Sequence, residues 1–397
     1  MVLRTNLQFP YSLKAERNHV SFAIFVCTMK MRIYFFVGTT AEIIKISPII
    51  RELQNRGFQF TIITSGQNSI DFSEMNGYIS DKTRFIRFND KGKKSSILLF
   101  FFWFVKTVFF GLFKLRKEFI NLKKEQTLFI VHGDTVSTLI GSLIAKTYQL
   151  TLVHIESGLR SFNFLEPFPE EICRVITSHL TDIHFAPNEW SLNNLKNIRG
   201  IKINTYQNTL SETYLYVSSH KKKSVYSSLL NNEKYFLLVI HRQENIMKKN
   251  STRKLIALII DLASKHDIKC VFVMHHLTKQ FLKDEEITER IEREQKVIFI
   301  PRLPYFEFLQ IFNKSKFVVT DGGSNQEEAF YAGIPCLLLR NCTERIEGLG
   351  ANVVLSENKQ DNIEKFFKEY RKFKKKPIIL KKRPAKIIVD SLLNYAK

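Results

Sequence analysis

Short apolar runs alternating with helical patterns recur in two series along this chain, and that alternation restricts the fold more than any other feature. Arg32–Val37 (RIYFFV) leads into Gly38-Thr39-Thr40 and a helical pattern over Ala41–Asn55. A strand, a turn and a helix in this order open a parallel α/β sheet. Phe58–Thr64, Thr127–Val131, Thr151–Ile155 and Ile183–Ala186 continue the first series. A second begins at Tyr235–Ile240 and runs through Cys270–Met274, Val297–Ile300, Phe317–Thr320 and Pro335–Leu339. The expected fold is α/β, with two Rossmann-like doubly wound domains facing a central cleft and joined near residues 200–210. At 397 residues the chain can bury two such cores.

The expected division is an extension over residues 1–30, a first domain over 31–205, a second over 206–375, and a C-terminal helix over 376–397 packing back on the first domain. The apolar run Phe22–Cys27 has no basic segment directly before it and no small-residue cleavage site, so it does not read as a signal peptide. Met29 or Met31, just ahead of the first strand, reads as the start of translation.

A formal net charge of +22 attracts polyanions. The clusters Lys221–Lys223, Lys374–Lys376 and Lys381–Arg383 read as solvated surface charge, with a membrane-surface role as the alternative. No zinc finger and no basic–aromatic alternation points to nucleic acid. Cys27, Cys173, Cys270, Cys336 and Cys342 form no CxxC pair and no metal-ligand spacing, which fits a reducing cytoplasm. Ile97–Phe113 (ILLFFFWFVKTVFFGLF) is the most apolar segment. Lys106 interrupts it, and a bilayer span here would split one sheet across two compartments. It reads either as a core helix with a greasy outer face or as an in-plane helix on the inner membrane surface, flanked by Lys91, Lys93, Lys94, Lys114, Arg116 and Lys117.

In open parallel sheets ligands bind beyond the carboxyl ends of the strands. Five places there carry reactive side chains. Gly38-Thr-Thr-Ala-Glu42-Ile-Ile-Lys45 offers helix N-terminal amides and a lysine to an anion. His132-Gly-Asp134-Thr and His154-Ile-Glu156-Ser-Gly-Leu-Arg160 each set a carboxylate past a strand. With Glu170-Glu171 they suggest an acid/base cluster, although capping or pairing with Arg160 would also explain them. His241-Arg242-Gln-Glu-Asn follows YFLLVI and can meet a diphosphate or a leaving-group oxygen, with His275-His276 as a further cleft contact. Asp321-Gly322-Gly323-Ser324-Asn-Gln-Glu-Glu328 lets the backbone approach a diphosphate at a helix N-terminus. There Glu328 can accept both ribose hydroxyls, and Arg345 past the next strand suits a phosphate clamp.

Taken in order, HGDT, HIESGLR, PFPEE, HRQEN, NQEEA and TER resemble the UDP-N-acetylglucosamine 2-epimerase family from about Arg32 to about Leu355. The resemblance implies a GT-B-like fold, a UDP-sugar substrate, a homodimer, and no metal or nicotinamide. It implies acid/base roles for Asp134, Glu156 and Glu170, and an essential cleft histidine in His241. It places Lys45, Glu328 and Arg345 on the substrate, with Tyr305 and Phe308 in the uracil-contacting segment. Arg160, Arg242, Gly322, Gly323 and Ser324 complete the expected substrate contacts. Two departures concern the UDP end. Thr40 and Ala41 stand where the family has Arg-Pro, and Asp-Gly-Gly-Ser replaces Asp-Ser-Gly-Gly.

The reaction so implied is interconversion of UDP-N-acetylglucosamine and UDP-N-acetylmannosamine, or of a close UDP-2-acetamido sugar, for surface polysaccharide precursors. A hydrolysing epimerase, a membrane-associated GT-B glycosyltransferase and a non-catalytic UDP-sugar-binding protein are the alternatives.

Overall fold

The computed structural model describes residues 31–395 apart from 71, 73–78, 81–82, 89–96, 123–125, 165, 221–224, 227–229, 231–232, 243–248, 276–277 and 279–295. The extension over 1–30, Lys91, Lys93, Lys94, Lys221–Lys223, Gln243–Asn245 and His276 therefore lie outside the described residues.

Two parallel sheets carry the chain. The first contains β1 (Arg32–Val37), β2 (Thr61–Thr64), β3 (Arg84–Arg87), β4 (Thr127–His132), β5 (Thr151–Ile155), β6 (Ile183–Ala186) and β7 (Ile201–Asn204), in the order β3-β2-β1-β4-β5-β6-β7. The second contains β8 (Tyr235–Val239), β9 (Lys269–Met274), β10 (Val297–Pro301), β11 (Val318–Thr320), β12 (Cys336–Leu338) and β13 (Val353–Leu355), in the order β10-β9-β8-β11-β12-β13. Both are doubly wound, with the order reversing beside the first strand of each. β3, β7 and β13 are absent from the two series of apolar runs. Each lies at a sheet edge: charged or polar residues break the apolar run in RFIR and IKIN, and VVL is only three residues long.

The helices are α1 (Thr40–Asn55), α2 (Ile97–Phe119), α3 (Val136–Thr147), α4 (Glu170–Leu180), α5 (Glu189–Asn194), α6 (Leu210–Ser219), α7 (Lys249–Lys265), α8 (Tyr305–Lys314), α9 (Gly323–Ala332), α10 (Gln360–Glu369) and α11 (Pro384–Tyr395). One apolar cluster runs through both sheets, joining Ile43 and Leu53 of α1, Tyr214 of α6, Phe308 of α8 and Leu392 of α11. Burial of such side chains is the main favourable term in holding the two halves together. α11 returns to the first half of the chain, where Asp390 meets Arg56 at 2.6 Å and Glu212 of α6 accepts the Ala385 N–H at 2.7 Å.

α2 packs as a surface helix. Trp103, Thr107, Leu115 and Phe119, spaced at multiples of four, are buried. Gly111 sits on the same face, so close to α3 that a Cβ there would stand 2.6 Å from Ile144 Cδ1. The opposite face exposes Phe101, Phe102, Phe109, Phe110 and Phe113. Among the described residues no helix is long and apolar enough to cross a membrane.

Register brings the reactive residues together. His132 pairs with Ile155 across β4 and β5, so Asp134 and Glu156 emerge side by side at the carboxyl edge. Thr320 pairs with both Val239 and Leu338, which aligns His241, Asp321 and Arg340 on the facing edge.

Candidate functional site

Glu156 follows β5 and adopts φ +64°, a left-handed conformation that a residue with a Cβ rarely takes. Its surroundings fix it there. Lys45 Nζ, from α1, donates to Oε2 at 2.8 Å and to Oε1 at 3.1 Å. Arg345, from the second half, donates to Oε1 at 2.7 Å, and Asn208 Nδ2 donates to Oε2. Burial alone would raise this carboxyl, but the Arg345 and Lys45 charges overcome that and hold it well below the usual carboxylate range.

Glu327 of α9 is a second carboxylate on the same cations, 2.9 Å from Arg345 Nη1 and 3.9 Å from Lys45 Nζ. Here burial prevails, and its pKa is pushed up to about 8. Two carboxylates served by one pair of cations thus have their proton affinities driven apart, the arrangement that separates an acid from a base.

The ion pairs continue through the interface. Arg174 of α4 binds Asp134, reaches Glu171 at 3.1 Å and lies 3.4 Å from Glu344 of the second half. Glu344 also pairs with Arg340 at 2.7 Å. Burial would raise Glu344 too, but Arg340 and Arg174 hold it well below the usual range. Arg242 Nη2 stands 3.9 Å from Glu170, and Asn188 donates to Glu347 at 2.8 Å. Asp134, Glu156 and Glu170 are therefore all joined by ion pairs, directly or through Arg174, to residues of the facing sheet.

The two glycine turns differ. At the first, the Gly38 and Thr39 amides donate to Glu42 Oε2 at 2.6 and 2.9 Å, while Thr39 Oγ1 accepts from the Glu42 amide. This reciprocal cap consumes the donors, so the expectation that they meet an outside anion is corrected: the buried Glu42 carboxylate already fills that place. Lys45 alone from this motif points into the cluster. At the second turn no side chain caps α9, which leaves its first amides to another acceptor. Gly322 and Gly323 also permit close packing. A Cβ on Gly323 would stand 2.7 Å from Arg345 Nε, and one on Gly322 would stand 2.7 Å from His241 Cε1. Ser324 is half-buried in the first turn of α9.

His241 is held by Asp321, whose carboxylate accepts the His241 amide at 3.1 Å and the Arg242 amide at 3.0 Å, with His241 Nδ1 at 3.3 Å. Its ring stacks on His275 at 4.9 Å, and burial lowers its pKa, keeping it neutral. Glu328 accepts from Asn325 at 2.8 Å, and burial lifts it to about 7. Tyr305 lies within electrostatic reach of Glu328, while Phe308 is a core residue tilted against Phe312 at 5.5 Å. Arg160 stands apart from Glu156: its Nε donates to Glu171 at 2.6 Å and its guanidinium lies 4.8 Å from the Phe162 ring centroid. Pairing of Arg160 with Asp134 or Glu156 is thus corrected, since the turn after Leu159 carries it to α4.

Sequence reasoning named His132 only as part of its motif and passed over Arg174, Asn208, Glu327 and Glu344. Glu327 and Glu344 adjoin residues it did name, and Arg174 stands three and four places after Glu171 and Glu170 on one helix face. Asn208, in the β7–α6 connection, carries no local signal. Among the described residues no group of His, Cys, Asp and Glu could hold a metal ion.

With this geometry in hand, comparisons with known proteins are specific. The sequence profile described as UDP-N-acetylglucosamine 2-epimerase matches residues 113–384. UDP-N-acetylglucosamine 2-epimerase of Methanocaldococcus jannaschii is 32% identical over 345 residues, covering 83% of this chain and 90% of that protein. The crystal structure of a Methanocaldococcus jannaschii UDP-GlcNAc 2-epimerase in complex with UDP-GlcNAc and UDP superposes with a TM-score of 0.77 at 28% identity, covering 92% of this chain and 100% of that one. UDP-2,3-diacetamido-2,3-dideoxy-D-glucuronate 2-epimerase of Pseudomonas aeruginosa is 30% identical over 60% of this chain and 66% of its own.

Arg174 is buried and joins three carboxylates; on its removal Glu171 and Glu344 keep Arg160 and Arg340, while Asp134 loses its cation. Arg174→Met is expected to destabilise the fold by about 1.5–3 kcal/mol in urea unfolding. A change below about 1 kcal/mol would mean that Asp134, Glu171 and Glu344 do not depend on it.

Proposed function

We propose that this chain, which belongs to the UDP-N-acetylglucosamine 2-epimerase family, interconverts UDP-N-acetylglucosamine and UDP-N-acetylmannosamine without net hydrolysis. The observation that carries the reading is the pairing of Glu156 with Lys45 of its own half and with Arg345 across the interface, beside the N-terminus of α9, which no side chain caps among the described residues. A UDP-sugar supplies what that arrangement suits: a diphosphate for the cations and a C2 proton beside a carboxylate.

The chemistry dictates the order of events. The C2–H bond is not next to a carbonyl, so direct removal of its proton is very unfavourable. UDP leaves first, its charge met by Lys45, Arg345 and the α9 amides. A carboxylate then takes the C2 proton from the oxocarbenium-like sugar to give a 2-acetamidoglucal. Proton return to the opposite face and re-addition of UDP complete the inversion. Asp134, Glu156 and Glu170 divide the proton transfers, and neutral His241, stacked on His275, faces the leaving oxygen. Arg242 adds charge at the same end. Glu328 takes the ribose, and Tyr305 lies beside it. Thr40 supplies no charge where the family has an arginine, so Lys45 and Arg345 carry the diphosphate with less help.

The proposed domains are 31–205 and 206–375, with the segment 376–397 docked on the first, in a cytoplasmic enzyme whose buried thiols remain reduced. A second copy is proposed to cover the α2 face, where Phe102, Phe109 and Phe113 are 60%, 59% and 75% exposed. Sedimentation of the wild type should give a dimer, and Phe109→Lys with Phe113→Lys a monomer. A monomeric wild type that floats with anionic vesicles would instead place this face on a membrane.

Incubation with UDP-N-acetylglucosamine in D2O should place deuterium at C2 of the nucleotide-bound sugar. Glu156→Gln should reduce that exchange at least about a hundredfold while UDP binding is retained or strengthened, because the carboxylate no longer competes for Lys45 and Arg345. Free N-acetylmannosamine as product would indicate the hydrolysing reaction, and exchange undiminished in Glu156→Gln would remove it from the proton transfers.

Because burial lifts Glu328 to about 7, its carboxylate form grows from pH 6 to pH 8. UDP affinity should rise about tenfold across that interval by calorimetry. Glu328→Gln should flatten the slope, and an unchanged slope would exclude the ribose role.

A further inference from the structure

One buried titratable group beside Glu156 has no task in the epimerisation chemistry. His132 ends β4, is 2% exposed, and has no hydrogen-bond partner on either ring nitrogen among the described residues. Its Nε2 stands 3.8 Å from Glu156 Oε2, just outside hydrogen-bond reach. Histidines on the neighbouring strands are anchored. His154 Nε2 meets the Gly133 carbonyl at 2.7 Å, and His184 meets Ser157 Oγ at 3.0 Å and the Arg199 carbonyl at 2.9 Å. A histidine that only filled space would be tied in the same way, since buried polar groups in native proteins nearly always find partners.

The exception lies next to a carboxylate whose lone pairs are already taken. Lys45, Arg345 and Asn208 occupy Glu156 in the free protein. Two of those three are the cations that the epimerase reading assigns to the diphosphate, and the role of His132 rests on that reading.

We propose that His132 is a positioning residue for Glu156: when a diphosphate draws Lys45 and Arg345 away, the imidazole closes the 3.8 Å gap and donates its Nε2–H to the carboxylate. Burial keeps the ring at about 3 and therefore uncharged at neutral pH. A neutral donor orients a carboxylate while leaving its negative charge in place, unlike the ammonium and guanidinium it succeeds. With those cations gone, the proton affinity of Glu156 climbs toward the range useful for taking and returning a proton. The charged groups around the pair are Lys45 from α1, Asp134 after β4, and Arg345 and Glu327 from the second half; His154 adds a neutral ring, and Asn208 keeps its bond to Glu156. Loading of the nucleotide thereby arms the base.

Full-length protein labelled with [15N]histidine reads this directly, with UDP as the probe. Addition of UDP should move the His132 ring signals, assigned by their loss in His132→Gln, to those of a hydrogen-bonded Nε2–H tautomer. His132→Phe should slow C2 deuterium exchange about a hundredfold at unchanged UDP affinity and displace the acidic limb of the pH–rate profile. His132→Gln, whose amide reaches the Nε2 position, should restore most of the rate. UDP binding that leaves the ring signals unmoved, or a His132→Phe enzyme with wild-type rate and limb, overturns the role. The ring response to UDP needs no epimerisation. A protein that shows it yet exchanges no deuterium keeps this role for His132 and refutes the epimerase reading.

Discussion

The contact of Arg345 and Lys45 with Glu156 ties the two sheets together at the point where their carboxyl edges meet. Ionised side chains in such a place have lost their hydration, which is costly unless every charge is met by a partner of opposite sign. Here the partners extend from Lys45 through Glu156, Arg345 and Glu327, and again from Glu344 through Arg174 to Asp134 and Glu171. Within the second half Arg345 and Arg340 are met by Glu327 and Glu344, and the contacts of Arg345 with Glu156 and of Arg174 with Glu344 join that set to the first half.

The same cations link stability to chemistry. Because the carboxylates are already paired with Lys45 and Arg345, an incoming dianion competes for cations rather than finding them free. Competition of this kind moves proton affinity: Glu156 is depressed only while Arg345 and Lys45 attend it. Glu327, on the same cations, shows the opposite balance, with burial prevailing.

Much of the fold was legible from the sequence because buried parallel strands are continuous apolar runs, and RIYFFV, TLVHI and YFLLVI admit little else. The strands that escaped notice are edges: polar residues interrupt β3 and β7, and β13 is only three residues long. Legibility at the site followed the same logic. Asp134, Glu156 and His241 stand directly after strands, where position along the chain implies position at the cleft, and Arg345 lies in the loop that follows β12. Arg160 also follows a strand, but one more turn takes it to Glu171. The first glycine turn resembles an anion site in one dimension, yet Glu42, three residues past Thr39, folds back onto its amides. The spacing Thr39-x-x-Glu42 is that of a capping box, a signal the sequence carried and the anion-site reading overlooked.

Sequence by itself determined that this chain builds two parallel α/β sheets, that its carboxylates and basic residues stand at strand ends, and that its motifs follow one family's order. These properties are local, set by the period of apolar residues and by turn chemistry. Only the tertiary structure decided which charge meets which. Lys45 and Glu156 are separated by 111 residues within the first half and Glu156 and Arg345 by 189, so the first pairing depends on how that half folds and the second on how the two sheets face one another. It also decided that His132, given no role of its own from the sequence, has no hydrogen-bond partner among the described residues beside the residue most central to the site. Proton affinities follow from these encounters, because burial and neighbouring charge are properties of the assembled cleft.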